Sequence, residues 1–278
     1  METIGTNGYD ASSSAPASLR IGIIGGGPLP KQWGLDYRPL SLQTPFGEPS
    51  APVLETRIGP DTLVCSLLRH GEGHAKGYAV NYRANVAALH ALGCDAVISL
   101  SLAGTLCDRF DVGDIVIYDD VIDFRKSAVS FFLDEAGMHC AMAPLVSDPL
   151  RAQLHDLSHE LTVPFGATMV VIEGPRYSTR AESRMYARLG ADLICQTVAP
   201  ECFLVREKGM DWFGVCLVTD RDTSDPSALV STELIYRTMK QHEAVFAETI
   251  LRLVRGLRPF AQTADAERGR VPRDLLTG

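Results

Sequence analysis

The stretch Val170–Arg180, which reads VVIEGPRYSTR, is the most informative segment of this chain. Its first three residues have the apolar character of a buried strand, and the Glu173–Pro175 turn cannot continue a strand or open a helix directly. An arginine, a tyrosine and two hydroxyls then precede a helix-like run that begins near Ala181. Open α/β folds build ligand sites where buried strands end in polar loops. The segment therefore predicts either a ligand-binding loop or an ordinary strand-to-helix connection.

Strand-like and helix-like runs alternate along most of the chain. This alternation predicts an α/β fold, in which one domain has a mixed, mostly parallel central sheet flanked by helices. We predict a disordered tail over residues 1–19, the domain over 20–260 and a polar tail over 261–278. The strand-like runs are Ile21–Ile24, Val53–Ile58, Thr62–Leu68, Ala96–Leu100, Asp114–Tyr118, Thr168–Ile172, Asp192–Cys195 and Phe213–Thr219, and the helix-like runs are Asn81–Leu92, Pro149–Leu161, Ala181–Leu189, Pro200–Lys208 and Ser231–Leu257.

The composition excludes several classes of protein. The formal net charge of −8 argues against a nucleic-acid partner, because phosphates bind a basic face. No apolar run approaches the roughly 20 residues that span a bilayer, and the N-terminus lacks the order of a secretory signal. None of the 7 cysteines has CxxC spacing. They predict buried thiols in a reducing compartment, and hence a cytoplasmic protein without a membrane partner.

Two loops that follow strands could bind an anion. The glycine loop of IGIIGGGP, residues 21–28, lacks the G-x-G-x-x-G pattern of dinucleotide folds, and Pro28 and Pro30 oppose a helix there. Its backbone N–H groups can still meet an anion. Arg69 and His70 follow another strand, and the planar donor fork of an arginine suits phosphate. His70 and His74 have no evident third metal ligand, so we expect no metal.

Hydroxyls and carboxylates end further strands. Ser99–Thr105 closes one strand with hydroxyls and a glycine, and Thr197 precedes a helix, although such hydroxyls are often only helix caps. Asp220 and Asp222 lie two residues apart after an apolar strand. They are either part of a solvated loop or a pair aimed at a polar ligand, with one raised pKa that lets a neutral carboxyl donate.

A series of short motifs occurs in one order over about residues 20–257. Together they closely resemble the S-methyl-5′-thioadenosine phosphorylase branch of the trimeric purine nucleoside phosphorylases, which implies the nucleoside phosphorylase fold. The motifs are IGIIGG (21–26), TPFGEPS (44–50), LLRHG (67–71), VNYRANVAAL (80–89), AGTL (103–106), VGDIVI (112–117), IEGPRYSTRAES (172–183), GADLI with TVAPE (190–201) and VTDRD (218–222).

The resemblance implies a role for each matching residue. The two catalytic residues are Asp220 and Asp222, on the N6/N7 edge of the base. It also implies a homotrimer, small-molecule nucleoside and phosphate as partners, phosphate as co-substrate, and no metal or redox cofactor. Phosphate would meet Gly27, Arg69, His70, Ser101 and Thr197, the nucleoside would meet Leu102, Ala103, Gly104, Tyr177, Ile194 and Gln196, and the 5′ group would meet His74 and His139, the latter from a neighbouring subunit.

The base-site residues favour adenine. A carboxylate accepts from an exocyclic amine, and a protonated carboxyl donates to N7. In the resembled family the 6-oxopurine enzymes carry Glu where Ser178 stands and Asn where Asp220 stands, and this chain has neither.

Several positions depart from the family pattern. Gly27 replaces a threonine whose hydroxyl meets phosphate, Gln196 replaces a methionine, and Leu102 replaces an alanine. The loop between Phe124 and His139 is also shorter. If Gly27 needs a positive φ or extra room, we expect Gly27→Thr to lower activity.

Phosphorolysis is therefore the predicted activity. The substrate is an adenosine-type nucleoside with a modified 5′ position, such as methylthioadenosine, and the products are adenine and a pentose 1-phosphate. Two alternatives stay open. One is a nucleosidase that uses water in place of phosphate, and the other is a non-catalytic purine-binding protein.

Overall fold

The structure is a computed structural model that describes residues 19–27, 29–73, 79–133, 138–222 and 230–260, and the backbone of 268–270. No helix within these ranges is long and apolar enough to cross a membrane. The strands are β1 (Leu19–Gly25), β2 (Arg38–Leu40), β3 (Val53–Ile58), β4 (Thr62–Leu68), β5 (Ala96–Thr105), β6 (Ile115–Asp123), β7 (Met138–Cys140), β8 (Phe165–Val171), β9 (Leu193–Cys195), β10 (Asp211–Arg221) and β11 (Arg268–Arg270). The helices are α1 (Leu29–Gln32), α2 (Tyr82–Ala91), α3 (Asp148–Leu161), α4 (Arg180–Arg188), α5 (Glu201–Glu207) and α6 (Thr232–Gly256).

Nine strands form one mixed sheet in the order β10-β6-β8-β9-β5-β1-β4-β3-β2, and β10 also pairs with β5. The second pairing of β10 closes β5, β10, β6, β8 and β9 into a ring. The other four strands extend from β5 as an open sheet. This confirms the predicted α/β fold with a mixed sheet and flanking helices, but the closure of the ring was not predicted.

The predicted strands and helices recur in the structure with shifts of a few residues at their ends. Four short elements, α1, β2, β7 and β11, were missed. The expectation that Pro30 opposes a helix is wrong. Pro30 lies in the first turn of α1, where backbone N–H groups have no acceptor within the helix, so a proline there removes no hydrogen bond. The predicted tails lie largely outside the described residues, although β11 falls within the range assigned to the C-terminal tail.

Helix starts are fixed by polar side chains that accept from backbone N–H groups. Thr179 and Glu182 form a reciprocal capping box at the start of α4. The hydroxyl of Ser231 accepts from Leu234 N at the start of α6. These caps set where α4 and α6 begin, and both helices begin beside the cavity described below.

Two large aromatic side chains pack against the strands of the ring. Tyr118 and Trp212 are fully buried and meet edge to face, with ring centroids 5.7 Å apart. The Tyr118 ring lies against Gly214 of β10, where a Cβ would come within 1.9 Å of a ring carbon. Glycine at this position therefore lets a tyrosine pack directly on the strand backbone.

The strands β1, β4, β5 and β10 run parallel to one another in adjacent pairs. Their carboxyl ends therefore lie along the same edge of the sheet. The segments that follow β1, β4 and β10 carry the glycine loop, Arg69 with His70, and Asp222. The fold thus gathers motifs that are distant in the sequence at one edge.

Candidate active site

A cavity of about 1020 Å³ opens at this edge of the sheet. Its walls come from the loops after β1, β4, β6, β8 and β9, from the start of α2, from the carboxyl-terminal parts of β5 and β10, and from one face of α6. Among the predicted site residues, those that line the cavity are Gly27, Arg69, His70, Ser101, Leu102, Ala103, Gly104, Tyr177, Ile194, Gln196, Thr197, Asp220 and Asp222.

One end of the cavity is built on a buried ion pair. The Arg69 guanidinium donates to both carboxylate oxygens of Glu201, at 2.9 Å from Nε and 2.8 Å from Nη2. It also donates to the carbonyls of Leu100 and Ile24, at 2.8 and 3.1 Å. Burial by itself lowers the pKa of Arg69, but the adjoining Glu201 carboxylate outweighs it and raises the pKa above its usual value.

The ion pair continues into a buried polar network. The hydroxyl of Ser99 donates to Glu201 Oε1 at 2.5 Å, and Trp212 Nε1 donates to that hydroxyl at 2.7 Å. Tyr82 lies close enough to feel the charges of both Arg69 and Arg125, although burial raises the pKa of Tyr82 to about 12. The phenol of Tyr82 is therefore neutral and able to donate at neutral pH.

This geometry changes the expected role of Arg69. We expected its planar fork to bind phosphate, but the fork holds Glu201, and among the described residues four of its five N–H donors are used. One Nη1 hydrogen remains for a ligand. Arg125 also lines the cavity, where its Nε and Nη2 donate to Asp123 at 3.0 and 2.8 Å, and no group in the described part of the chain accepts from its Nη1.

The two aspartates lie at a different point of the cavity. Asp222 is buried, and each of its oxygens accepts a hydroxyl at 2.6 Å, Oδ2 from Ser178 and Oδ1 from Ser183. Both serines lie at the start of the α4 segment, so this carboxylate is fixed in place by the VVIEGPRYSTR loop and helix.

Asp220 is less completely paired than Asp222. A register shift around Thr219 interrupts the pairing of β10 with β5, and such bulges redirect the side chains beside them. The hydroxyl of Thr219 donates to Asp220 Oδ1 at 2.7 Å, and no described residue donates to Oδ2. Burial raises the pKa of Asp220 and the Asp222 charge raises it further, against the Thr219 hydrogen bond. Asp220 is thus the carboxyl suited to hold a proton.

Gly104 allows this carboxyl to approach β5. A Cβ at Gly104 would lie 2.9 Å from Asp220 Oδ2 and 3.0 Å from the Asp222 Cβ. Leu100, whose carbonyl binds Arg69, is four residues earlier on the same strand. At about 3.3 Å per residue, the guanidinium end and the carboxyl end are therefore about 13 Å apart along β5.

Side-chain contacts between loops close the remaining wall. The hydroxyls of Tyr177 and Thr232 lie 3.0 Å apart, which links the loop after β8 to the start of α6. Gln196 Nε2 donates to the Arg176 carbonyl at 3.1 Å, so the polar head that replaces a methionine has a partner. Ile235, Met239 and Phe246 on α6 supply the apolar part of this wall.

The structure does not bring every predicted residue to the cavity. His139 is exposed on β7 and is not among the residues that line the cavity, and His74 lies outside the described residues. The backbone of Gly27 is not in the left-handed region, and its nearest neighbour is the flexible end of Gln32. A positive φ is therefore not a reason for Gly27→Thr to fail, whereas the need for room beside a ligand stays a prediction.

Sequence reasoning missed the partners of the predicted residues. Tyr82 and Arg125 carried no local signal, because their importance comes only from contacts across the fold. Glu201 stood in the TVAPE motif, where a buried acid beside Arg69 could have been suspected from the need to neutralise a buried arginine.

Comparisons with known proteins agree with the fold and with the placement of the motifs. The family model described as the phosphorylase superfamily matches residues 20–255. The chain belongs to this superfamily. It is 40% identical over 205 residues to S-methyl-5′-thioadenosine phosphorylase of Mycolicibacterium smegmatis, which covers 73% of this chain and 78% of the relative.

Two solved structures of methylthioadenosine phosphorylases are also similar to this chain. A methylthioadenosine phosphorylase from an antarctic soil metagenomic library has a TM-score of 0.76 and 33% identity, with 87% of this chain and 85% of that chain covered. A variant of the Schistosoma mansoni adenosine/methylthioadenosine phosphorylase, in complex with methylthioadenosine, has a TM-score of 0.73 and 28% identity, with 85% and 91% covered. The chain is thus a member of the methylthioadenosine and purine nucleoside phosphorylase family.

Removal of the Glu201 carboxylate tests the structural role of the buried pair. We expect Glu201→Ala to lower the free energy of unfolding by about 3–5 kcal/mol, because it leaves the Arg69 charge buried and unpaired. Urea unfolding followed by fluorescence measures this. Arg221→Ala, which breaks the exposed pair with Asp111, is the control and should cost about 0–1 kcal/mol. Equal effects of the two substitutions would contradict the assignment.

Asp220→Asn tests whether the buried carboxyl destabilises the fold. Because the folded state raises the pKa of Asp220, the protonated form stabilises the fold and this stability is lost as the pH rises through the raised value. An asparagine carries no charge at any pH. We therefore expect the variant to melt at a higher temperature than the wild type at pH 8, with a gap that narrows as the pH falls through the raised pKa of Asp220. A gap independent of pH would show that charge is not the cause.

Proposed function

We propose that this protein catalyses the phosphorolysis of an adenosine-type nucleoside with a modified 5′ position, such as methylthioadenosine, to give adenine and a pentose 1-phosphate. The observation that carries this proposal is the buried Asp220, which keeps one oxygen without a described partner and has a raised pKa. A neutral carboxyl in a cavity can give a proton or hydrogen bond to a leaving purine.

The end of the cavity that contains Asp220 and Asp222, the base end, would stabilise the leaving purine. Cleavage of an N-glycosidic bond gives the sugar oxocarbenium character and places negative charge on the purine. Protonated Asp220 would donate to N7, where that charge develops, and the exocyclic amine would donate to a carboxylate oxygen. Hydroxyls from Ser178 and Ser183 hold Asp222 in a fixed orientation, so this end needs little reorganisation during the reaction.

The end of the cavity near Arg69 would bind phosphate, which is the anionic nucleophile of the reaction. Ser101, Thr197 and His70 line the cavity near Arg69, whose remaining Nη1 hydrogen and whose charge favour an anion. Holding phosphate and nucleoside in one cavity makes their reaction effectively unimolecular. No covalent intermediate with the protein is required, because phosphate attacks the sugar directly.

The α6 wall supports an apolar 5′ substituent. Ile235, Met239 and Phe246 present hydrocarbon and thioether surface to the cavity. A methylthio group buries its surface there more favourably than a hydroxyl, which would lose its hydrogen bonds to water. The complex of the Schistosoma mansoni relative with methylthioadenosine agrees with this choice.

We also propose a homotrimer in which His139 reaches the cavity of a neighbouring subunit, since it is exposed and lies outside its own cavity lining. The cytoplasm is the proposed compartment, because all 7 cysteines are free thiols. Sedimentation equilibrium gives the oligomeric state. A monomer at micromolar concentration that retains full activity would contradict the trimeric site.

Adenine release with and without phosphate tests the activity. We expect methylthioadenosine to be cleaved only when phosphate is present, with a pentose 1-phosphate as the second product. Phosphate-independent cleavage would indicate a nucleosidase, and adenine binding without turnover of any nucleoside would indicate a purine-binding protein.

Asp220→Asn tests the base end in the same assay. Loss of one transition-state hydrogen bond from a buried acid should reduce kcat/KM for methylthioadenosine by an amount equivalent to about 2–4 kcal/mol. The loss for inosine should be smaller, because asparagine can donate to a 6-oxo group. An unchanged kcat/KM for methylthioadenosine would contradict the base-site assignment.

A further inference from the structure

The glycine loop has a neighbour that occupies the space of the missing side chain. Gly27 faces the cavity, and the Nε2 atom of Gln32 lies 3.3 Å from where a Cβ on Gly27 would be. The Oε1 atom of Gln32 is farther, at 3.7 Å. The amide nitrogen of Gln32 therefore occupies the region into which a side chain at position 27 would extend.

Two contacts with α6 hold Gln32 at this place. Trp33 Nε1 donates to the Ala247 carbonyl at 2.8 Å, which ties the end of α1 to α6. Gln32 Nε2 donates to Glu243 Oε1 at 2.6 Å, and both side chains line the cavity. The backbone position and the orientation of the amide are thus both determined by α6.

We propose that Gln32 is a phosphate-binding residue that replaces the hydroxyl absent at position 27, and that Glu243 is its positioning residue. This inference rests on the proposed phosphorolysis. An amide nitrogen carries two hydrogens, and the bond to Glu243 uses one of them. No group within the described ranges accepts the second hydrogen, which can therefore bind a phosphate oxygen at the glycine loop.

Glu243 can position Gln32 because the two polar atoms of an amide differ: the nitrogen donates hydrogen bonds and the oxygen accepts them. A glutamine free to rotate about its last bond presents its carbonyl oxygen as often as its nitrogen, and that oxygen repels an anion. A carboxylate accepts from the nitrogen and not from the oxygen, so it selects the orientation in which the donor faces Gly27. The negative charge of Glu243 weakens anion binding in part, and the guanidinium groups of Arg69 and Arg125 at the same cavity oppose it.

Steady-state kinetics at varied phosphate and varied nucleoside test the proposal. We expect Gln32→Ala to raise the phosphate KM about two- to tenfold, the effect of one hydrogen bond, with an unchanged nucleoside KM. Gly27→Thr should restore the phosphate KM in the Gln32→Ala background. In the wild-type background it should add little, because the two groups compete for one volume and their effects are not additive.

Variants of Glu243 separate positioning from direct binding. Glu243→Ala should raise the phosphate KM by a smaller factor than Gln32→Ala. Glu243→Gln should not recover the loss, because an amide both donates and accepts and therefore cannot select the orientation of Gln32. The matched control is Gln43→Ala, which breaks another exposed Gln–Glu pair, with Glu48 at 2.5 Å, outside the cavity lining. The control should leave both KM values unchanged.

The outcomes distinguish this inference from the proposed function. Wild-type turnover that does not depend on phosphate contradicts the proposed function and overturns the inference with it. Phosphate-dependent turnover with an unchanged phosphate KM in Gln32→Ala overturns the inference alone. A rise in the nucleoside KM with no rise in the phosphate KM also overturns it, because Gln32 would then contact the sugar.

Discussion

The buried pair of Arg69 and Glu201 is the interaction on which the site depends. The guanidinium binds the carbonyls of Leu100 and Ile24 as well as the carboxylate, so it joins β5 and β1 to the first turn of α5. A buried charge pair is costly unless all its donors and acceptors are satisfied, and here the network extends to Ser99 and Trp212. The anion end of the cavity is therefore ordered before any ligand binds.

The two ends of the cavity differ in how completely the protein pairs their charged groups. Arg69 is matched almost completely by the protein, whereas Asp220 is buried with one oxygen that no described residue satisfies. Such a group costs stability, and the cost is the usual consequence of preorganising a site for charge that develops during a reaction. The strand β5 connects both ends, since Leu100 contacts one and Gly104 the other.

The sequence predicted those parts of the fold that local patterns determine. Apolar runs and cap residues located the main strands and helices, and strand ends located most of the residues that line the cavity. It could not predict that Arg69 is held by Glu201, which is 132 residues away, because no periodicity records such a contact. The bulge at Thr219 and the closure of β10 onto β5 also depend on long-range pairing. Gln32 was missed because Pro30 suggested a loop there.

Closure of the strand ring has a consequence for solubility and self-association. Because β10 pairs on both sides, the nine-stranded sheet has one free edge among the described residues, and that edge is β2. This strand spans three residues, with an exposed arginine at its start and Pro39, which has no N–H to offer a neighbouring strand. A long unpaired edge would be a template for intermolecular β-pairing and aggregation. The described part of the nine-stranded sheet leaves no long edge of this kind, which disfavours association between copies by continuation of that sheet.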